Sequence, residues 1–316
     1  MILHPNYRPD RGVKRDGTER DVWLALKRLG HQVHVAGVND DLAALEHELT
    51  EFNPHIVFNL MEEFLSEAVY DFHIVSYLES IEVPYNGCNP RGLILSRNKF
   101  LVGAMAEAFG VRVPKSQWLR KGERTPRQAP PLPLFVKMNR EHASLGIRES
   151  NRVKTSQQLR AVCSRLRRDF GREILVQQFI SGADVSVSVW GNGRAEVLPP
   201  RTLPTKNRDR VSTARLKFSP SYQIRHSVKS FPFKGPALAE LKESARKVYC
   251  GLDMSGYARL DFRVDAEGVP WLIDVNANPN LTRIEDFARS LNASGWKYEE
   301  IIQHVLDLGF SYRPNV

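Results

Sequence analysis

The sequence predicts a mixed α/β and α+β chain that opens with a mostly parallel α/β sheet and continues into further packed units. Three observations carry this. Helical and strand patterns alternate at short intervals ahead of Pro90, the order that builds parallel sheets through crossover helices. At 316 residues the chain is too long for one small core and suits two or three packed units. Further along, two apolar alternating runs flank Glu267-Gly268, the pattern of adjacent strands joined by a turn.

Taken in order, Ile2 to His4 forms a short first strand, and the amphipathic stretch from Thr18 to Leu29 is a helix stopped by Gly30. His34 to Val38 is a strand, Asp40 to Phe52 a helix, and His55 to Leu60 a strand entered through the breaker Asn53-Pro54. Ser66 to Ser80 returns to helix before a strand at Val83 to Asn86. No GxGxxG follows the first strand, so a dinucleotide site is unsupported. After Asn89-Pro90 one helix containing Asn98-Lys99 runs to Gly110, Pro114 opens a strand toward Leu119, and Lys121 to Pro133 is an exposed loop. A second unit follows: strand Leu134 to Lys137, a small-residue loop, helix Thr155 to Asp169 and strand Glu173 to Ile180. The last unit holds strands Asp184 to Trp190 and Glu196 to Leu203, a basic loop, and a helix from Pro236 to Cys250. The two strands about Glu267-Gly268 and two terminal helices complete it. The expected division is 1–95, 96–177 and 178–316.

Composition narrows the class. With 42% apolar and 26% charged residues and no apolar run of about 18 residues, the chain reads as globular and without a membrane span. Its first residues lack the basic-then-apolar pattern of a secretory signal. Cys88, Cys163 and Cys250 lie far apart without metal-ligand spacing, so neither a disulfide framework nor a zinc site is indicated and a reducing cytoplasm is expected. The formal charge of +9 suits nucleic acid or a polyanionic small ligand, and its placement discriminates. Arg160, Arg165, Arg167, Arg168 and Arg172 fall along one amphipathic helix, which is a solvated face. Lys206, Arg208, Arg210, Arg215 and Lys217 lie in an aperiodic stretch, which suits a basic loop closing over phosphates. No aromatic-interleaved basic face is visible, so nucleic acid is not expected.

The most informative segment is YARLDFRVDAEGVPWLIDVNANPN, from Tyr257 to Asn280. A two-residue turn at Glu267-Gly268 sets Asp261 opposite Asp274 and Arg259 opposite Asn276, all on one face. Leu260, Phe262, Ile273 and Val275 then face the core. Carboxylates on opposed residues, with β-carbons about 4.5–5.5 Å apart, repel unless a cation lies between them. Oxygen donors from Asp261, Asp274 and Asn276 suit Mg²⁺ or Mn²⁺ together with phosphate oxygens.

The run Arg259, Asp261, Asp274, Asn276, Asn278-Pro279 resembles the metal-binding signature of ATP-grasp enzymes, and its spacing is similar to that of D-alanine–D-alanine ligases. The resemblance implies an ATP-grasp fold with an N-terminal open α/β domain. It also implies a carboxylate-amine ligase that forms an amide or peptide bond through an acylphosphate, with ATP and Mg²⁺ (or Mn²⁺). Further elements occur in order. Lys99 matches a lysine at the start of the helix entering the central domain, and Lys137 one that reaches the phosphates. His142-Ala143-Ser144-Leu145-Gly146 matches the small-residue loop over those phosphates, where short side chains let backbone N–H groups approach an anion. Gln177, Gln178, Phe179 and Ile180 resemble the hinge that holds adenine by backbone groups, Asp184 the acid on the ribose hydroxyls, and Lys217 a loop lysine over the γ-phosphate. Arg259 with a backbone N–H near Asn280 resembles the pair stabilising the tetrahedral oxyanion, so the implied catalytic set is Arg259, Lys217, Ser144 and Asn280.

Departures from the family pattern fall in the hinge, where Gln177-Gln178 stands in place of a frequent Glu-Lys and Asp184 in place of a longer Glu, and on the amino-acid pockets. Asn59-Leu60-Met61-Glu62-Glu63 replaces the usual His-Gly pair, Phe218 a common Tyr, Asn280 a glycine, and Glu285-Asp286 the Ser-Leu pair that holds a substrate carboxylate. Glu285 and Asp286 are therefore substrate-facing candidates favouring an acceptor that carries a cationic group or lacks a free carboxylate near the reacting amine. The competing reading is a capping box, in which Thr282 caps a helix and Glu285 bonds back. The expected substrates are a small-molecule carboxylate and an amine, with a homodimer left open. The alternatives are a genuine D-alanine–D-alanine or D-lactate ligase and a non-catalytic ATP-binding protein.

Overall fold

The computed structural model describes residues 1–4, 17–38, 40–125, 129–141, 145–202, 229–230 and 234–314. The first unit is a parallel sheet of β1 (Ile2–His4), β2 (Val35–Gly37) and β3 (Phe58–Asn59), in the order β2-β1-β3. Its helices are α1 (Thr18–Arg28), α2 (Leu42–Phe52) and α3 (Phe72–Ser80). Two expected elements shrink. Residues 83–86 contribute one parallel bridge, Val57 to Tyr85, and the front of the 66–80 helix is a 3-10 turn at Ala68–Tyr70.

The single helix expected after Pro90 is two, α4 (Pro90–Ser96) and α5 (Lys99–Ala108). The cause is local. Asn98 takes an extended conformation and its side chain accepts the Leu101 amide, which starts a new helix rather than continuing the old one. Asn98 Oδ1 also accepts from Asn139 Nδ2, and Asn139 Oδ1 accepts the Phe100 amide. The first turn of α5, and Lys99 with it, is thus pinned to the end of a strand in the next unit.

That unit is an antiparallel sheet in the order β4-β7-β5-β6, from β4 (Ser116–Leu119), β5 (Leu134–Met138), β6 (Arg152–Val153) and β7 (Ile174–Gln178). One face packs on α6 (Ser156–Phe170), capped by Thr155, whose hydroxyl accepts the Gln158 amide, and closed by Gly171. Leu134, Val136, Ile174 and Val176 meet Leu159, Val162, Cys163 and Leu166 in a core of their own. Not all of the helix's arginines are solvated: Arg165 donates to Asn151 Oδ1 at 2.6 Å.

The third sheet runs β11-β10-β8-β12-β13 with β9 added on β8. Its strands are β8 (Ala183–Trp190), β9 (Glu196–Val197), β10 (Arg201–Thr202), β11 (Lys229–Ser230), β12 (Tyr257–Val264) and β13 (Pro270–Ala277). The helices α7 (Pro236–Gly251), α8 (Asp286–Asn292) and α9 (Tyr298–Ser311) surround it. A large core joins this sheet to the first unit: Leu3, Ala36 and Val57 share a cluster with Val187, Leu260 and Val248, and with Val102 of α5. The two units also touch backbone to backbone. A Cβ on Gly256, which sits at φ +67°, would come within 2.2 Å of the Gly87 carbonyl oxygen, so only glycine permits that approach.

The β12–β13 register reproduces the expected pairs, Arg259 with Asn276 and Asp261 with Asp274, but not the expected turn. The loop is longer: Asp265 and Val269 close it through backbone and side-chain bonds, with Gly268 in the left-handed region at φ +85°. The one-residue offset this introduces is absorbed by a bulge after Asp261, beyond which Phe262 pairs with Leu272. Leu272, not Ile273, therefore joins the core, and Ile273 turns toward the cleft. Among the described residues no helix is long and apolar enough to cross a membrane.

Candidate active site

A cleft of about 640 Å³ lies where the sheets meet. Its walls contain Lys99, Lys137, Gln177, Gln178, Phe179, Ile180, Asp184, Arg259, Asp261, Asp274, Asn276, Asn280, Glu285 and Asp286. Strand alternation is the main device that gathers them, since Arg259, Asp261 and Arg263 share one face of β12 while Leu260 and Phe262 pack beneath.

Asp261 is held on three sides. Arg259 Nε donates to its Oδ1 at 2.8 Å and Nη2 to its Oδ2 at 3.0 Å, while Asn276 Nδ2 donates to Oδ2 at 3.1 Å. Burial opposes the charge on Arg259, but the Asp261 carboxylate outweighs it, with Asp286 and Glu285 adding in the same sense, so the guanidinium stays charged. Lys99 Nζ lies 3.1 Å from Asp274 Oδ1, an ion pair rather than a directed hydrogen bond. Lys137 reaches across from β5 and donates to the Ile273 carbonyl at 2.9 Å. Asp184 pairs with Arg263 Nη1 at 3.2 Å. Phe179 is flanked by guanidinium groups, with Arg152 4.4 Å and Arg263 4.9 Å from its ring centroid. The amides of Gln178 and Phe179 bond to Lys115 and Pro133 carbonyls, so these two amides of the hinge are not donors to a ligand.

Some expectations change. Ser144 and Lys217, and the basic stretch from 203 to 217, lie outside the described residues. Gly146 does not line the cleft: it sits at φ +71° where a Cβ would lie 2.9 Å from the Phe170 ring, so its smallness serves packing on α6. The capping box is absent. Glu285 is itself the residue preceding α8, with no side-chain cap bond, and the Thr282 hydroxyl bonds to Asn280 and Thr18 instead. Glu285 and Asp286 both face the cleft. So does Glu62, one of the acids in place of the His-Gly pair. Residues the sequence reading missed include Arg97, whose guanidinium pairs with buried Asp71, and Arg263. Arg263 was readable, because it continues the period-two face of Arg259 and Asp261; Arg97 pairs across 26 residues and left no local signal.

This architecture, with lysines and a carboxylate pair facing one cleft between antiparallel sheets, defines an ATP-grasp protein. The chain belongs to the D-alanine–D-alanine ligase family: the family model described as "D-ala D-ala ligase C-terminus" matches residues 106–307, more than half of the chain. It is an ATP-dependent carboxylate-amine ligase of that type. A D-alanine–D-alanine ligase of Flavobacterium psychrophilum is 29% identical over 255 residues, covering 77% of this chain and 73% of that one. One from Oleidesulfovibrio alaskensis is 26% identical over 98% of this chain and 96% of its own. An uncharacterized Sinorhizobium fredii protein, y4sG, is 26% identical over 91% of this chain and 85% of its own. A crystal structure of the Bacillus anthracis D-alanine–D-alanine ligase complexed with ATP superposes with a TM-score of 0.74, 18% identity, and coverage of 98% and 96%.

Proposed function

We propose that this ligase activates a carboxylate with ATP in the described cleft and passes the acyl group to an amine that carries a second cationic group. The carrying observation is the placement of Lys99 on α5 and the Asp261–Asp274 pair on β12 and β13 around one cavity. A carboxylate attacks a γ-phosphorus only when the phosphate oxygens are neutralised. Lys99 and Lys137 supply charge from one wall, and Lys217 and Ser144 belong to the loops assigned to the phosphates by resemblance. Gln177 to Ile180 and Asp184 form the nucleoside end. Arg259, held rigid by Asp261, is placed to stabilise a tetrahedral oxyanion together with the backbone at Asn280.

The donor set also fits a divalent cation: Asp261, Asp274 and Asn276 present hard oxygens from neighbouring strands. Bound there, Mg²⁺ or Mn²⁺ would supply further neutralisation of the triphosphate. In this reading the chain divides at 1–95, 96–177 and 178–316 into three units sharing this cleft, in a cytoplasmic protein.

The acceptor preference rests on the carboxylates. Bringing a substrate anion within about 4 Å of one protein carboxylate costs about 4 kcal/mol at an effective dielectric near 20, and Glu62, Glu285 and Asp286 all face the cavity. The test is ADP release against panels of carboxylates and amines, including diamines and basic amino acids. Turnover should require a divalent ion and fall by at least about a hundredfold in Asp261→Asn with its melting behaviour retained. Undiminished turnover under rigorous chelation would overturn the metal role.

A further inference from the structure

Three residues stand side by side across the four-stranded sheet. Ser116 of β4 and Phe135 of β5 are both paired with Gln177 of β7. Opposed residues point to the same face, and Phe135 and Gln177 both line the cleft. Gln177 is only 7% exposed, so its amide cannot simply turn into bulk water, and which end faces the cleft has a chemical consequence.

The hydrogen bonds decide that orientation. Ser116 Oγ lies 2.8 Å from the Pro114 carbonyl oxygen. A carbonyl oxygen only accepts, so the hydroxyl spends its one proton there. The Gln177 amide atom 3.1 Å from the same Oγ must therefore be the donor, Nε2. With Nε2 committed to Ser116, Oε1 is the end left to act toward the cleft. The reverse orientation would either set Oε1 against the hydroxyl oxygen, acceptor to acceptor, or draw the one hydroxyl proton away from the Pro114 carbonyl, and each leaves an acceptor unpaired in a buried place. A glutamate, common at this place in the resembling family, needs no such device, because both of its oxygens accept.

We propose that Ser116 is a positioning residue that locks the Gln177 amide with its carbonyl oxygen toward the nucleotide base, making the site selective for a purine with an amino group at the six position. The inference rests on the reading of Gln177 to Ile180 as the nucleoside end of the cleft. Adenine offers an N–H donor to Oε1. Hypoxanthine offers a carbonyl at the same place, which meets Oε1 acceptor to acceptor. Sites built to pair with one polar group reject the analogue that cannot pair, because the protein group is then left unsatisfied.

The experiment compares binding of ATP and ITP, each with Mg²⁺, to the full chain by calorimetry. ITP is the chosen probe because it differs from ATP in the six-position edge without the added two-amino group of GTP. Wild type should prefer ATP by at least about tenfold, corresponding to about 1.4 kcal/mol. Ser116→Ala removes the constraint, lets the amide turn to donate to the six-position carbonyl, and should bring the two affinities within about threefold. Adding Gln177→Glu to Ser116→Ala should restore the ATP preference, since a carboxylate accepts in either orientation. The ratio within one variant is insensitive to general loss of affinity or stability. An unchanged ratio in Ser116→Ala, or no restoration in the double variant, would overturn the lock. Failure of wild type to bind either nucleotide would overturn the nucleotide reading itself, and this proposal with it.

Discussion

At the scale of single residues, the site is a set of charges placed by backbone geometry. Lys99 is buried at 7% exposure, which leaves its ammonium dependent on Asp274 and on any anion entering the cleft. Removing it takes away positive charge from the cleft and the cation beside Asp274 Oδ1. Lys99→Ala should therefore weaken ATP binding or lower kcat by at least about tenfold, or 1.4 kcal/mol; near-native kinetics would remove Lys99 from the nucleotide site. Most of these residues were legible from the sequence, for a physical reason: a strand repeats every two residues, so Arg259 and Asp261, and Asp274 and Asn276, declare a common face. The turn was misread as two residues, and the pairing survived only because a bulge after Asp261 cancels the error. Gly146 was misassigned because small residues suit an anion loop and a tight helix contact equally well.

At the scale of elements, the segment leading into α8 distinguishes a structural acid from a functional one. Thr282 and Glu285 have the spacing of a capping box, yet the Thr282 hydroxyl is engaged with Asn280 and Thr18. Arg283 explains part of this: its guanidinium lies over Tyr298, 3.9 Å from the ring centroid, and bonds Glu299 at 2.8 Å. Its amide bonds Asp21 of α1 at 3.1 Å. The loop is thereby tied to α1 and α9, and Glu285 is left to begin α8 facing the cleft. Replacing Glu285 by Ser and Asp286 by Leu should weaken the cationic acceptor by about tenfold or more and admit simple amino acids, read as KM across the acceptor panel. A variant that keeps its acceptor preference and only melts earlier would return these residues to a structural role. Such competition between capping and long-range ties cannot be read locally, because Thr18 and Asp21 lie more than 260 residues away.

At the scale of the whole molecule, the order of elements was legible and their assembly was not. Alternation of helix and strand marked the parallel sheet, but nothing local places β8 between β10 and β12, the latter pairing made across a long stretch of chain. The separation of cores was equally hidden, since apolar residues in every unit follow the same periodicities. That separation governs motion. The first sheet and the six-stranded sheet share one apolar interior and touch at Gly87 and Gly256, so they should fluctuate as one body. The four-stranded sheet with α6 encloses its own interior, tied to the rest through Asn98, Asn139 and Lys137, and should move as the other. Hydrogen exchange should then show β4 to β7 and α6 opening together at lower free energy than the rest. Uniform protection across all three sheets would refute this. A nucleotide spanning Gln177 on one body and Asp274 on the other would act as a strut between them, so its binding would be felt as stiffness far from the atoms it touches.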